Sequence, residues 1–165
     1  MDKTNAMRLL DAHKISYRAT TYDASGEFHP ADEAARLIGA PVEQVYKTLV
    51  VSSGAPNAKP LLVMVPAHRE IDLGLLAQQL NEKKLQMVTQ KQAEKLTGLR
   101  VGGISALVLL NKGFRIFLDA SAGQFEKIHI SAGVRGVDIE LGVQDLIALT
   151  NARLVKAVSA EGPPE

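Results

Sequence analysis

The sequence predicts an α+β fold: a mixed, mainly antiparallel, curved sheet flanked by helices. Three observations carry this. Short runs of aliphatic and β-branched residues recur along the 165 residues. Segments with helix-capping signals fall between them. The connections are of two kinds, tight polar turns that suit hairpins and helix-length crossovers.

The elements follow in chain order. Thr4 is placed to cap a helix running to about Lys14, with Met7, Leu9 and Leu10 on its apolar side, and residues 17–22 read as a short strand. Residues 23–29 form a polar loop. Pro30 in a first turn and Gly39 just past the end bracket a second helix, and Pro41 opens a short turn. Next come an apolar run around Lys47, a turn at 53–57 and the wholly apolar run 61–65, which predict a hairpin whose second strand is covered on both faces. Asp72 and Thr89 are N-caps for helices over 73–80 and 90–97, the second with Gln92 in a capping-box position and Gly98 as its stop. A small strand is expected at 85–88, and others at 107–110, 115–118, 127–131, 138–141 and 153–158, with a helix at 143–149. Residues 1–158 are expected to form one domain and 159–165 a frayed tail.

A chain of this length buries roughly two-thirds of its unfolded surface and needs no staple. With no cysteine there is no disulfide, no thiolate nucleophile and no Cys-ligated zinc, which suits a reducing compartment. The first residues lack a signal-peptide core and no apolar stretch is long enough to cross a bilayer, so a soluble cytoplasmic protein is expected. Nineteen basic against eighteen acidic residues create no strong field. A tight, autonomous nucleic-acid binder would be more basic.

Few residues can carry chemistry. Strand alternation puts Lys47 on the same face as Val45, Leu49 and Val51. Burying an ammonium there costs several kcal/mol unless an anion or acceptor meets it, which suggests a ligand site; a lysine that keeps an edge strand from pairing with other molecules is the plainer alternative. Gly102-Gly103-Ile104-Ser105 is a tight connection whose glycines can leave N–H donors uncovered, or an ordinary turn. No Gly-Lys-Ser/Thr or dinucleotide fingerprint accompanies it. Ser131 lies in a second glycine-bearing loop without a nucleophile-elbow pattern and reads as a hydrogen-bonding residue; Arg135 can hold a phosphate or pair with Asp138 or Glu140. His13, His29, His68 and His129 lack metal-site spacing, and no two carboxylates form an evident acid–base pair. Phe28 is an apolar side chain in a polar loop, packed beneath it or lining a pocket.

Taken in order, Tyr46-Lys47-Thr48-Leu49, Val101-Gly102-Gly103-Ile104-Ser105 and the run from Ser131-Ala132-Gly133 to Ile139-Glu140-Leu141 resemble the YbaK family of aminoacyl-tRNA deacylases. That family is akin to the editing domain of bacterial prolyl-tRNA synthetases. The likeness runs from the first helix to about Val158. It implies the barrel-like sheet of that fold and a free-standing enzyme that removes a wrong amino acid from tRNA, foremost cysteine from tRNA(Pro). It also implies that Lys47 is the catalytic anchor for the 3′-terminal adenosine, that Gly102, Gly103, Ile104 and Ser105 line the aminoacyl pocket, and that Tyr22, Phe28, Ser131 and Asp138 surround the substrate. The attacking group would be the substrate's own thiol, with no cofactor and no metal, and prolyl-tRNA synthetase would be the partner presenting the tRNA acceptor end. Ala106 departs from the family's usual proline, and Ala132 and Val134 from a glycine and a lysine, which bears on amino-acid specificity. Two further readings remain: a deacylase for alanine on tRNA(Pro), and a non-catalytic module that binds tRNA or a synthetase.

Overall fold

A computed structural model describes residues 2–24, 31–55 and 57–159. Helix α1 (Asn5–Ala12) starts where Thr4 accepts a hydrogen bond from the Met7 N–H, and β1 (Tyr17–Thr21) follows. Helix α2 (Ala31–Ile38) and a 3-10 turn (Val42–Gln44) lead into β2 (Tyr46–Ser52), which pairs antiparallel with β3 (Leu61–Pro66) as the expected hairpin. Asp72 caps α3 (Leu73–Leu80), β4 (Gln86–Met87) is brief, and Thr89 and Gln92 form the capping box of α4 (Gln90–Thr97), which ends at a left-handed Gly98. The remaining elements are β5 (Arg115–Asp119), a 3-10 turn (Ala120–Gln124), β6 (Lys127–Ser131), β7 (Val137–Gly142), α5 (Val143–Thr150) and β8 (Arg153–Val155).

The strands form two sheets, β1-β7-β6, all antiparallel, and β4-β2-β3-β5-β8, in which β3–β5 and β5–β8 are parallel. The expected mixed sheet is thus divided in two, joined by a bridge between Val45 and His129. Strand β3 is buried along its whole length, and its alternation divides the interior. Leu62 and Met64 face the main core with Ile128, Ile130, Ile139 and Leu141 of the smaller sheet, while Leu61, Val63 and Val65 pack with Leu76 and Ala77 of α3. A third cluster seats Ala35 of α2 on Val45 and Ala67.

Two expectations are corrected. Residues 107–110 are not a strand but a series of turns, in which the Leu109 N–H reaches the Ser105 carbonyl and the Leu110 N–H that of Leu107. An apolar run is buried equally well by turns when its backbone satisfies itself locally, and Leu107 and Leu109 are fully interior. Strand β8 is shorter than 153–158 because Asp119 takes the Ala157 N–H at 2.8 Å in place of a ladder partner. Ser159, the first residue of the expected tail, donates its hydroxyl to Asp72 at 2.5 Å. Phe28, His29 and Pro30 lie outside the described residues.

Candidate active site

The site begins with an interruption in pairing. One edge of β2 pairs throughout with β3. The other meets β6 only at Val45 and β4 only at Val51 and Ser52, with Val50 accepting from the Val88 N–H. Between these points the edge has no ladder partner among the described residues. Because Val50 turns its carbonyl outward, the two-residue period of a strand turns the Thr48 N–H and C=O outward as well. A cavity of about 400 Å³ opens along this edge, lined by Tyr46, Lys47, Thr48 and Leu49 together with Tyr22, Gly102, Ile104, Ser131, Asp138, Asp32, His68 and Glu70. That volume suits a nucleoside-sized ligand.

Lys47 shares a face with Leu49 and Val51, as alternation predicts, and is half-buried. Its ammonium makes no hydrogen bond or ion pair to a described residue. It stands on an unpaired edge, as a pairing-blocker would, but that edge is the wall of a cavity.

Asp138 comes from the β6–β7 hairpin, whose register sets His129 opposite Glu140 and Ser131 opposite Asp138. All four side chains share one face, because the strands alternate the isoleucines of the core with these polar residues. His129 Nδ1 is 2.6 Å from Asp138 Oδ2 and His129 Nε2 is 3.3 Å from Glu140 Oε2, with His129 and Asp138 side chains only 7% and 8% exposed. Arg18 on β1 reaches Glu140 at 3.4 Å. Burial pushes the Asp138 carboxyl above the ordinary carboxylate range, while the hydrogen bond and charge of His129 pull against it.

Ser131 Oγ accepts the Gly133 N–H at 3.2 Å, which leaves its hydroxyl proton available to donate. Tyr22 is fixed by its backbone N–H to the Gly136 carbonyl at 2.9 Å, and burial raises its phenol. Gly136 has φ +86°, and a Cβ there would lie 2.9 Å from the Tyr22 carbonyl oxygen, so glycine is required on both counts. Tyr46 is bonded to Ser121 at 2.7 Å and pushed up to about 12, a neutral structural phenol.

Of the residues expected at the site, Tyr22, Lys47, Gly102, Ile104, Ser131 and Asp138 come together around this cavity. Gly103 and Ser105 do not line it. Gly103 faces a neighbouring depression, where a Cβ would meet the Val134 and Arg135 backbone at 3.1 Å, so its role is to let two loops pack closely. Ser105 is interior, and its hydroxyl accepts the Leu107 N–H at 3.2 Å. Ala106 and Ala132 are also interior and outside the cavity wall, and Val134 is exposed. Arg135 donates from Nε to the Val101 carbonyl at 2.7 Å, tying the two glycine loops together. Sequence reasoning missed the bridging His129. The signal was there in the period-two pattern of 129, 131, 138 and 140 across a glycine-bearing turn. Among the described residues no group of three or more His, Asp or Glu side chains is placed to hold a metal ion, and no helix is long and apolar enough to cross a membrane.

The family model for the aminoacyl-tRNA editing domain matches residues 26–149. A protein of Enterococcus faecalis (strain ATCC 700802 / V583), provisionally named Cys-tRNA(Pro)/Cys-tRNA(Cys) deacylase EbsC, is 33% identical over 159 residues, covering 96% of this chain and 95% of that one. Among solved structures, the hypothetical protein APE2540 matches with a TM-score of 0.82 at 18% identity, over 94% of this chain and 99% of its own. A protein provisionally described as a trans-editing enzyme for prolyl-tRNA synthetase matches with a TM-score of 0.75 at 22% identity, over 97% and 100%. At those identities the two structures speak to the fold.

Proposed function

Since the chain belongs to the aminoacyl-tRNA editing domain family, we propose that it is a trans-editing deacylase that removes a wrongly attached amino acid from tRNA, with cysteine on tRNA(Pro) as its principal substrate. It would act in the cytoplasm, where tRNA is charged, with prolyl-tRNA synthetase as the partner that presents the acceptor end. Lys47 anchors the 3′-terminal nucleotide, and the Gly102–Ile104 turn and Ser131 surround the ester.

One observation carries the mechanism: His129, on the same strand face as Ser131, turns both ring nitrogens to carboxylates, Asp138 and Glu140. It is therefore not a base for the Ser131 hydroxyl, and no hydrogen bond joins Ser131 Oγ to a basic side chain among the described residues. An ester can nonetheless be cleaved if the substrate brings its own nucleophile and the site supplies orientation and donors for the oxyanion. The cysteinyl sulfur forms a bond to its own carbonyl carbon, the bond to the ribose oxygen breaks, and the thiol proton passes to that departing oxygen. The cyclic thioester released is then hydrolysed by water to cysteine.

The test is cleavage of cysteinyl-tRNA(Pro) against correctly charged prolyl-tRNA(Pro), with and without prolyl-tRNA synthetase. Cleavage of the first alone supports the proposal. Cleavage of neither, or of both equally, contradicts it.

A further inference from the structure

The least explained group in the cavity is a carboxylate oxygen. Asp138 Oδ2 is committed to His129 at 2.6 Å. Its other oxygen, Oδ1, makes no hydrogen bond to a described residue, yet no buried side-chain atom of the described residues is left unsatisfied, so Oδ1 is open to the cavity. A side chain 8% exposed, with one oxygen held by His129 and the other presented to the cavity, is an acceptor fixed in direction and available to a ligand.

The proton count says what kind of ligand. Each ring nitrogen of His129 faces a carboxylate oxygen, and a neutral imidazole has only one N–H. Two carboxylates, Asp138 and Glu140, thus share one imidazole, and Asp138, which lines the cavity, is the acceptor an approaching cation meets. We propose that Asp138 is the receptor for the α-ammonium group of the aminoacyl ester, and that His129, braced by Glu140, is the positioning residue that holds Asp138 in its anionic form with Oδ1 toward the substrate. This rests on the deacylase reading and adds to it a requirement for a free amino terminus: an N-acylated ester, such as peptidyl-tRNA, presents an amide in place of the ammonium and is spared.

The groups that act on Asp138 are His129, Glu140 and Arg18 from β6, β7 and β1. Tyr22 faces it from the adjoining loop, with Lys47 on β2 and Asp32, His68 and Glu70 on the rest of the cavity wall. Of the first three, His129 and Arg18 favour its anion, and Glu140 opposes it. Desolvation already raises this carboxyl against the pull of His129, so removing the imidazole takes away that opposition and the carboxyl takes up its proton at still higher pH.

Binding and catalysis are measured separately, so that failure of this inference is distinct from failure of the deacylase reading. In the binding arm, 3′-(cysteinylamino)-3′-deoxyadenosine, whose amide link resists cleavage, is titrated against its des-amino counterpart. The wild-type protein is expected to bind the amine at least about tenfold more tightly. Asp138→Asn should bring the two within about threefold. Equal wild-type binding overturns the ammonium site, whatever the enzyme does. In the kinetic arm, cysteinyl-tRNA(Pro) is compared with N-acetylcysteinyl-tRNA(Pro). Strong preference for the free amine supports the proposal, and equal cleavage of both overturns it while leaving the deacylase reading standing. His129→Gln should move the acid limb of kcat/KM to higher pH, with activity regained as pH rises. A purely structural histidine would lower Tm without moving that limb. If His129→Gln does not fold, Asp138→Asn decides through the binding arm alone.

Discussion

Replacing Lys47 by alanine removes the cation that the account assigns to the terminal nucleotide, and its consequences can be worked from the structure. In the free protein the ammonium makes no hydrogen bond or ion pair to a described residue, so its removal orphans no carboxylate and empties no packed core. The fold should lose at most ~1 kcal/mol from the aliphatic stem, a Tm change of about 2–4 °C. Bound substrate is a different matter. A hydrogen bond to a charged partner contributes ~1.5–3 kcal/mol, so kcat/KM should fall by about ten- to 150-fold. Lys47→Arg keeps the charge but replaces a compact ammonium with a planar fork, and should also be impaired. Lys47→Met keeps most of the stem and separates packing from charge. The assay is single-turnover deacylation with thermal melts on the same preparations. A folded Lys47→Ala protein with full activity would refute the reasoning and return Lys47 to the role of a strand-edge blocker.

Thr89→Ala removes the side-chain half of the capping box of α4, leaving the bond from its backbone N–H to Gln92, and should cost ~1 kcal/mol, a fall of about 2–4 °C in Tm, with deacylation unchanged. Gly136→Ala places a Cβ 2.9 Å from the Tyr22 carbonyl at φ +86°; melts and kinetics should show loss of both stability and activity, since Tyr22 is displaced from the cavity wall. Asp72 is held below the ordinary carboxylate range by Ser159 and the α3 N-terminus. Its contribution is complete above the unfolded pKa and disappears as pH falls through the depressed folded value, so the Tm gap between wild type and Asp72→Asn should be larger at neutral pH than in strong acid. Prolonged treatment with chelators should leave deacylation unchanged, since no group of three or more ligating side chains is assembled among the described residues; loss restored by one divalent metal would contradict this.

What could be read from the sequence was local. Thr4, Asp72 and Thr89 announce helix starts because capping is decided within a few residues, and the runs 61–65 and 127–131 announce strands because their residue types and length leave little choice. Lys47 stood out because an ammonium conflicts with the apolar pattern around it. The segment 107–110 was illegible for the opposite reason: burial alone does not distinguish a strand from turns. The Asp138–His129–Glu140 unit is a product of register between two strands, so its parts look unremarkable until β6 and β7 are paired. Gly103 and Ser105 belong to the same stretch as Gly102 and Ile104, but neighbouring residues of a turn point in different directions. Two of the four therefore line the cavity, while Gly103 and Ser105 serve loop packing and turn closure.

The central claim is that the substrate's thiol makes the attack. Its most direct test is the initial rate of deacylation of tRNA(Pro) carrying cysteine, serine or alanine, measured on one enzyme preparation. Cysteine and serine differ by one atom, but the thiol ionises near neutral pH and the hydroxyl does not. The account predicts that cysteinyl-tRNA(Pro) is cleaved faster than the seryl ester by about a hundredfold or more, with the alanyl ester as slow as the seryl one. Alanyl-tRNA(Pro) cleaved at a rate comparable to cysteinyl-tRNA(Pro) would show that water attacks, and would contradict the claim.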